Sequence, residues 1–274
     1  ENAPQGPDGY GYICFDDTDE DWVLAPTYDW VEICPRDDDR EFDGIDIEEF
    51  DGRSEYDIGE TAVIDLPFET QFYGRTYDQI TVCTNGFISM GDQEYATNFQ
   101  NWPMDHAVGG GIGMLAPLWD DLMYRNNVSS ICCFFDEDES RFIVEWYRLT
   151  HRVGRDDLTF QVILYDREVW NTSTGDQNIL FQYKQVSNIP GRNDGYLTSS
   201  PFASVGISSP DGKTGINYSF ANQRPITSSP LQNRRALLFA TSTVSRVGEL
   251  SGVVTDADDN EPVEGAVVKM QPGY

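Results

Sequence analysis

Histidine is almost missing from this chain: His106 and His151 are the only two in 274 residues. Base is scarce as well, with 18 Lys and Arg against 47 Asp and Glu, a formal net charge of −29. A nucleic-acid binder needs cations along the phosphate backbone, so that class is set aside. Anionic membrane surfaces are disfavoured for the same reason. No apolar run approaches the ~18 residues that a membrane-spanning helix needs. No long segment keeps an i, i+3, i+4 apolar period, which argues against a helical fold. There is no HExxH zinc helix and no GxSxG elbow. Asp105-His106 falls in a polar loop and His151 follows a strand, so both histidines read as solvated side chains. Nothing singles out a carboxylate pair for glycoside hydrolysis among so many Asp and Glu. No CxxC pair occurs, which excludes a zinc ribbon. The start at Glu1, with neither Met nor an apolar leader, reads as a processed mature chain.

What is present is β-prone. Six Trp, 15 Phe and 14 Tyr favour strands, and 24 Gly with 14 Pro supply turns. The centre is Ile80-Thr81-Val82-Cys83-Thr84-Asn85-Gly86-Phe87-Ile88-Ser89-Met90. Asn-Gly is a strong two-residue hairpin signal because a type I′ turn needs φ > 0 twice. That turn would set Thr84 against Phe87, Cys83 against Ile88 and Val82 against Ser89. Both faces of the hairpin would then carry apolar groups, which places it inside a layered structure and not on a wet surface.

Further strands are expected at Tyr12–Phe15, Trp30–Cys34 and Ala62–Phe68, where Pro67 suits a sheet edge or a strand end. Hairpins are expected from Ile131–Asp136 with Arg141–Arg148, Thr159–Tyr165 with Asn178–Tyr183, and Ala203–Ser208 with Ile216–Phe220, and Arg235–Thr241 closes the series. About a dozen short strands at this spacing indicate an all-β fold. The expected architecture is an antiparallel β-sandwich, jelly-roll-like, with an extended N-terminal arm and a C-terminal two-strand tail. Its divisions are residues 1–52 (arm and acidic loops packing on the main domain), 53–245 (sandwich) and 246–274 (tail). The run Gly109-Gly110-Gly111 calls for a tight bend or a close backbone approach.

Five cysteines point to disulfides in an oxidising compartment, with one left over. Cys14 and Cys34 are candidates to pair, and Cys83 has Cys132 or Cys133 as candidates. Adjacent Cys132 and Cys133 face opposite sides of a strand, so at most one meets a given partner. Asp16, Asp17, Asp19 and Asp21 have the alternate-carboxylate spacing that Ca²⁺ loops use, although no EF-hand Gly and Glu follow in register. Asp120-Asp121 follow Trp119 at a strand end. Trp102, Trp170 and Tyr196, in or beside loops, are candidates for stacking on carbohydrate. Asn127, Asn171 and Asn217 each begin an N-x-S sequon.

The block order VCTNGFISMG, LAPLWDDL, RFIVEWYRL, TFQVILYD, ILFQYKQV and SVGISSPDGKTGINYSF resembles the β domain of nidogen-type extracellular proteins. It is closer still to the non-catalytic β modules of large secreted bacterial proteins, gingipain-like and subtilisin-like peptidases among them. There an aromatic- and Asp-rich lead similar to YGYICFDDTDEDW and APTYDWVEI precedes the module. The resemblance covers about residues 8–241, and Cys14, Cys34 and Cys132-Cys133 stand as departures from its pattern. It implies secretion and a structural or adhesive role, and it carries no catalytic residue. Leu250–Asp256 and Glu261–Val268 resemble the opening of a carboxypeptidase regulatory-like domain. Two strands alone are marginal in water. Leu250, Val253, Val254, Val263, Ala266, Val267 and Val268 are therefore the residues expected to add to an open sheet edge, of this chain or of a second copy, giving a homo-oligomer or filament. The rival reading is an accessory or glycan-binding domain of a secreted hydrolase.

Overall fold

The computed structural model describes residues 3–34, 44–47, 50, 59–107, 109–125, 127–152, 157–186, 202–221, 223–241 and 255. Its regular elements are strands, apart from one 3₁₀ turn at Met104–His106. In chain order they are β1 (Ile13–Asp16), β2 (Ile45–Asp46), β3 (Thr61–Phe72), β4 (Arg75–Cys83), β5 (Phe87–Met90), β6 (Met114–Trp119), β7 (Leu122–Met123), β8 (Ser130–Asp136), β9 (Arg141–His151), β10 (Leu158–Tyr165), β11 (Ile179–Gln185), β12 (Ser204–Ser208), β13 (Gly215–Ser219) and β14 (Arg235–Ala240).

Two antiparallel sheets face each other. The large sheet runs β1-β14-β11-β10-β9-β8-β2, with β7 paired to β9, and the small sheet runs β13-β12-β6-β5-β4-β3. The expected sandwich is therefore present. Its winding is two meanders, β3 to β6 and β8 to β11, and not strands alternating between sheets as in a jelly roll. Short acidic or Gly-bearing turns join β8 to β9 and β12 to β13, so the nearest-neighbour pairing is set locally.

Alternation of side chains builds the space between the sheets. Val144, Trp146, Phe160, Val162, Leu164, Phe181 and Phe239 of the large sheet pack on Ile80, Val82, Ile88, Leu115, Val205 and Ile207 of the small one. Trp146 stacks on Phe160 at 5.1 Å, and its Nε1 donates to Cys83 O across the sandwich at 2.9 Å. Tyr183 crosses the same gap to donate to Pro117 O at 2.7 Å. Burying a large aromatic is worth roughly 1.5–3 kcal/mol, and its polar tip needs a partner such as these.

The central hairpin differs from the sequence expectation in register. Cys83 pairs with Phe87, Val82 with Ile88 and Ile80 with Met90. The loop has three residues, Thr84-Asn85-Gly86, and only Gly86 has positive φ, at 77°. One extra loop residue shifts the partner by one, which exchanges the face it presents. Ile80, Val82, Ile88 and Met90 thus face the large sheet together. Cys83 and Phe87 face outward against Met104, Met114, Ala116 and Trp119. All four residues of β5 are buried, so the placement inside a layered structure holds. The Gly109–Gly111 run serves close approach: a Cβ on Gly110 would sit 2.1 Å from Met114 Sδ.

Trp30–Cys34, expected as a strand, joins neither sheet. It lies as an irregular strap on the outer face of the large sheet, where Ile33 and Cys34 pack with Cys132, Ile143, Ile163, Leu180 and Ala236. Cys34 is bonded to Cys132, 98 positions further along the chain, with 5.5 Å between Cα atoms. Neither a Cys14–Cys34 nor a Cys83–Cys132 bond forms. Cys14 sits on β1 against the inter-sheet core, Cys83 on the outer face of the small sheet, and both are buried thiols. Burial drives the Cys14 thiol well above its ordinary pKa and pushes Cys83 up to about 12.

Candidate functional site

One end of the sandwich gathers the residues the sequence brought forward. Asn85, buried in the β4–β5 loop, donates through Nδ2 to Thr97 O at 2.9 Å and accepts from Leu122 N at 3.1 Å. Its carbonyl accepts from Asp120 N, and Gly86 O accepts from Leu118 N. The Asn-Gly turn and the Trp119-Asp120-Asp121 corner are therefore one hydrogen-bonded unit. Asp120 lies 3.5 Å from His151 Nε2, and both are largely buried. Asp121 pairs with Arg152 at 2.7 Å. His151, expected to be solvated, belongs to this corner instead, because it pairs with Leu122 across β7 and β9. His106 is exposed as expected, 3.4 Å from Asp105. Every group named in this corner knits one strand end to another.

The N-terminal acidic run lies at and after the end of β1. Asp16 is buried at the end of β1 and accepts from Thr18 N, Thr18 Oγ1, Tyr218 Oη and Ser229 N. Burial alone would raise its pKa, but these hydrogen bonds outweigh it and hold the carboxyl below the usual range. Asp17 accepts from Arg235 Nη1 at 2.7 Å and from Ala236 N. Arg235, itself 2% exposed, lies 3.9 Å from Asp16. Asp19 Oδ2 accepts from Asp16 N, while its buried Oδ1 has no protein hydrogen bond. Desolvation raises the Asp19 pKa to about 6. Asp21 is exposed. Among the described residues, no group of three or more His, Cys, Asp or Glu is arranged to hold a metal ion. Sequence reasoning missed Arg235. The signal was there, since an Arg opens the apolar run Arg235–Ala240 and needs a counter-charge once buried.

These contacts seal one edge of the sandwich, where β1 and β13 meet. Gln5 bridges to Cys14 in an isolated pairing, and its Nε2 donates to Asn217 O. The other edge is sealed by apolar contact: Phe68 of β3 meets Phe135 of β8 at 5.9 Å. There β3 is a terminal strand, the first of the two places that suit Pro67, and its ladder with β4 is interrupted between Asp65 and Thr70. Among the described residues, no strand pairs with its outer side. Its inward positions Ile64, Leu66 and Phe68 are only partly buried.

Comparison with known families reads this architecture. The family model described as NIDO related matches residues 47–243. The chain belongs to the NIDO-related family. Membership supports an extracellular module, in line with the resemblance seen in the sequence. No solved structure matches the chain. The match takes in β3 to β14 and leaves out β1 and the strap. This NIDO-related sandwich is thus completed from outside the matched region: β1 pairs along the whole of Asp16–Ile13 with Leu237–Ala240 of β14, and Cys34 reaches in to Cys132.

Among the described residues, two surfaces of the NIDO-related sandwich are left uncovered. One is a groove of about 290 Å³ on the outer face of the large sheet, lined by Val23–Thr27, Tyr165, Trp170, Leu180 and Leu238 among others. Trp170 is 42% exposed and meets Tyr165 edge-on at 5.4 Å. Trp102, 48% exposed, lies elsewhere beside the 3₁₀ turn, so the two tryptophans do not form one platform. The other surface is the outer side of β3. Asn127 and Asn171 are exposed in turns, whereas Asn217 is half-buried and its Oδ1 accepts from Met104 N. Tyr196 and the tail residues Leu250, Val253, Val254, Val263, Ala266, Val267 and Val268 lie outside the described residues. Among the described residues, no helix is long and apolar enough to cross a membrane.

Proposed function

We propose that this chain is a non-catalytic structural module that works outside the cell, as a subunit of a surface or filamentous assembly joined by β-strand addition. The observation that supports this reading is the outer side of β3. It is a twelve-residue terminal strand with a row of partly buried apolar residues, Ile64, Leu66 and Phe68, beneath it. A donated strand would supply the missing main-chain partners and cover that row. The tail segments Leu250–Val254 and Ala266–Met270 have the apolar alternation a donor needs. Head-to-tail addition that does not close would give a filament. The bulge at Leu66–Glu69 and the exposed charges Asp65 and Glu69 guard the edge against indiscriminate pairing. Electron microscopy of the full chain beside a variant lacking residues 248–274 tests the proposal. Fibres or oligomers from the full chain alone are expected, and equal particle size for the two refutes it.

A second reading, an accessory or glycan-binding domain of a secreted hydrolase, draws on the exposed ring of Trp170 over its groove. Glycan-array binding that Trp170→Ala abolishes would favour it, and an array without hits removes it.

A further inference from the structure

The strap over the large sheet is bound in an unusual way. Of residues Asp21–Cys34, only Ile33 and Cys34 are buried, and the rest are half-buried or exposed. Among the described residues no ladder joins the strap to a strand, although Trp22 at its start makes an isolated bridge. Its central hold is a pair of bonds between one side chain and the main chain of one residue: Asp29 N donates to Gln182 Oε1 and Gln182 Nε2 donates to Asp29 O, both at 2.7 Å. Ile33 N reaches Glu145 Oε2 at 3.3 Å. Tyr28 and Val31 pack partly buried against the outer-face cluster, Lys184 pairs with Glu32, and two cations lie over rings at the margin, Lys184 on Trp30 at 5.5 Å and Arg234 on Tyr28 at 5.3 Å.

Beneath the strap the fit is poor in two independent ways. Glu145, Gln161 and Gln182 are directly opposite one another across β9, β10 and β11, and all three are fully buried. Neither atom of the Gln161 carboxamide has a hydrogen-bond partner, and Trp30 Nε1 has none either. Buried polar groups are nearly always satisfied, and these atoms gain water as a partner when the strap lifts. Nor does the first part of the strap close on the sheet: Val23–Thr27 stand over the groove of about 290 Å³ above Leu180 and Leu238. That groove opens to solvent, so this part of the strap is not part of a closed core.

We propose that the strap is a cover that opens independently of the sandwich and is kept in place by its clasp, the Cys34–Cys132 disulfide. Thiol reduction then converts it into an uncovered state in which the Glu145–Gln161–Gln182 row faces solvent and the two sheets persist. The step balances with a dithiol reductant: the S–S bond breaks, each sulfur of Cys34 and Cys132 gains one electron and one proton, and the dithiol is oxidised to its own disulfide. Both sulfurs are buried, so the reductant reaches them when the strap lifts. The rate of reduction therefore reports lifting directly. A small cooperative unit with few buried contacts is the kind that opens below the global unfolding energy.

The test uses the full chain in native buffer with a dithiol. Mass-resolved alkylation follows Cys34 and Cys132, and amide hydrogen exchange is read for the strap and for β10 and β11. Reduction is expected at least about tenfold faster than global unfolding, which corresponds to ~1.4 kcal/mol of separation between local and global opening. Residues 28–33 should then lose protection while β10 and β11 keep theirs. Reduction that proceeds no faster than global unfolding, or loss of protection in strap and strands together, overturns the proposal. So does a strap that stays protected after both sulfurs are alkylated. Cys34→Ser gives the uncovered state without reductant and should show the same exchange pattern, with tryptophan emission shifted by exposure of Trp30.

Discussion

Replacing Arg235 by Met keeps the volume of the stem and removes the charge that the β1–β14 corner is built on. Arg235 is buried and its guanidinium holds Asp17 at 2.7 Å, with Asp16 at 3.9 Å and Pro230 O accepting from Nε at 3.3 Å. A buried pair that loses one partner leaves the other charge uncompensated, which costs about 3–5 kcal/mol. For a domain of this size, each kcal/mol lowers Tm by roughly 2–4 °C, so a fall on the order of 10 °C is expected. Urea unfolding at pH 7 should show the same loss as a lower midpoint with an unchanged slope. Arg235→Met with Asp17→Asn should cost less than the sum of the two single changes, because the second removes the charge the first stranded. A loss below about 1 kcal/mol refutes the reasoning, since buried pairs do not behave so. Rescue of Arg235→Met by Ca²⁺ would show that the acidic run can be neutralised by a cation after all.

Asp19 gives a pH test. Its folded pKa of about 6 lies above the ordinary Asp value, so between them the unfolded chain is ionised while the fold keeps the proton. Its contribution to stability therefore falls as pH rises from about 4 to 6 and is flat above. Asp19→Asn should raise stability at pH 7 by about 1–2 kcal/mol, allowing for partial solvation, and the gain should vanish near pH 4, measured by denaturant melts at each pH. Gly86→Ala should destabilise by about 2–4 kcal/mol in thermal melts. The residue has φ 77°, and the new Cβ would stand 2.1 Å from Leu118 O, so strain and displacement of the β6–β7 corner add together. Wild-type stability in Gly86→Ala would mean that this loop is not rigidly seated.

How far the sequence was legible follows from what each signal depends on. Alternation and turn residues are local, and the hairpins of β8 with β9, β10 with β11 and β12 with β13 fell where those signals put them. Asn85-Gly86 marked the turn correctly but not its length, because Asn85 is drawn inward by Thr97 O and Leu122 N, which lie 12 and 37 residues away. The same limit applies to cysteine pairing. Cys34 meets Cys132 because the strap crosses the outer face of the large sheet, and nothing near Cys34 in sequence says which sheet lies beneath it. The strap itself was misread as a strand since Trp30, Val31 and Ile33 are β-prone residue types, yet among the described residues its main chain has no ladder to join. Of the candidate sites, the Asp120 corner was visible as a motif. Its partner His151 was not, for it arrives from the far end of β9.

The pairing of β1 with β14 sets how the molecule would respond to mechanical load. Ile13 stands directly opposite Ala240, so tension applied at these two positions opens the ladder one hydrogen bond at a time, like a zipper and not like a shear joint. Peeling then runs through the arm and the strap until it meets the sulfur bridge at Cys34. That releases on the order of 70 Å of slack at ~3.4 Å per residue before tension from the Ile13 side reaches the disulfide. In a fibre, such a leash would act as a shock absorber with a hard stop.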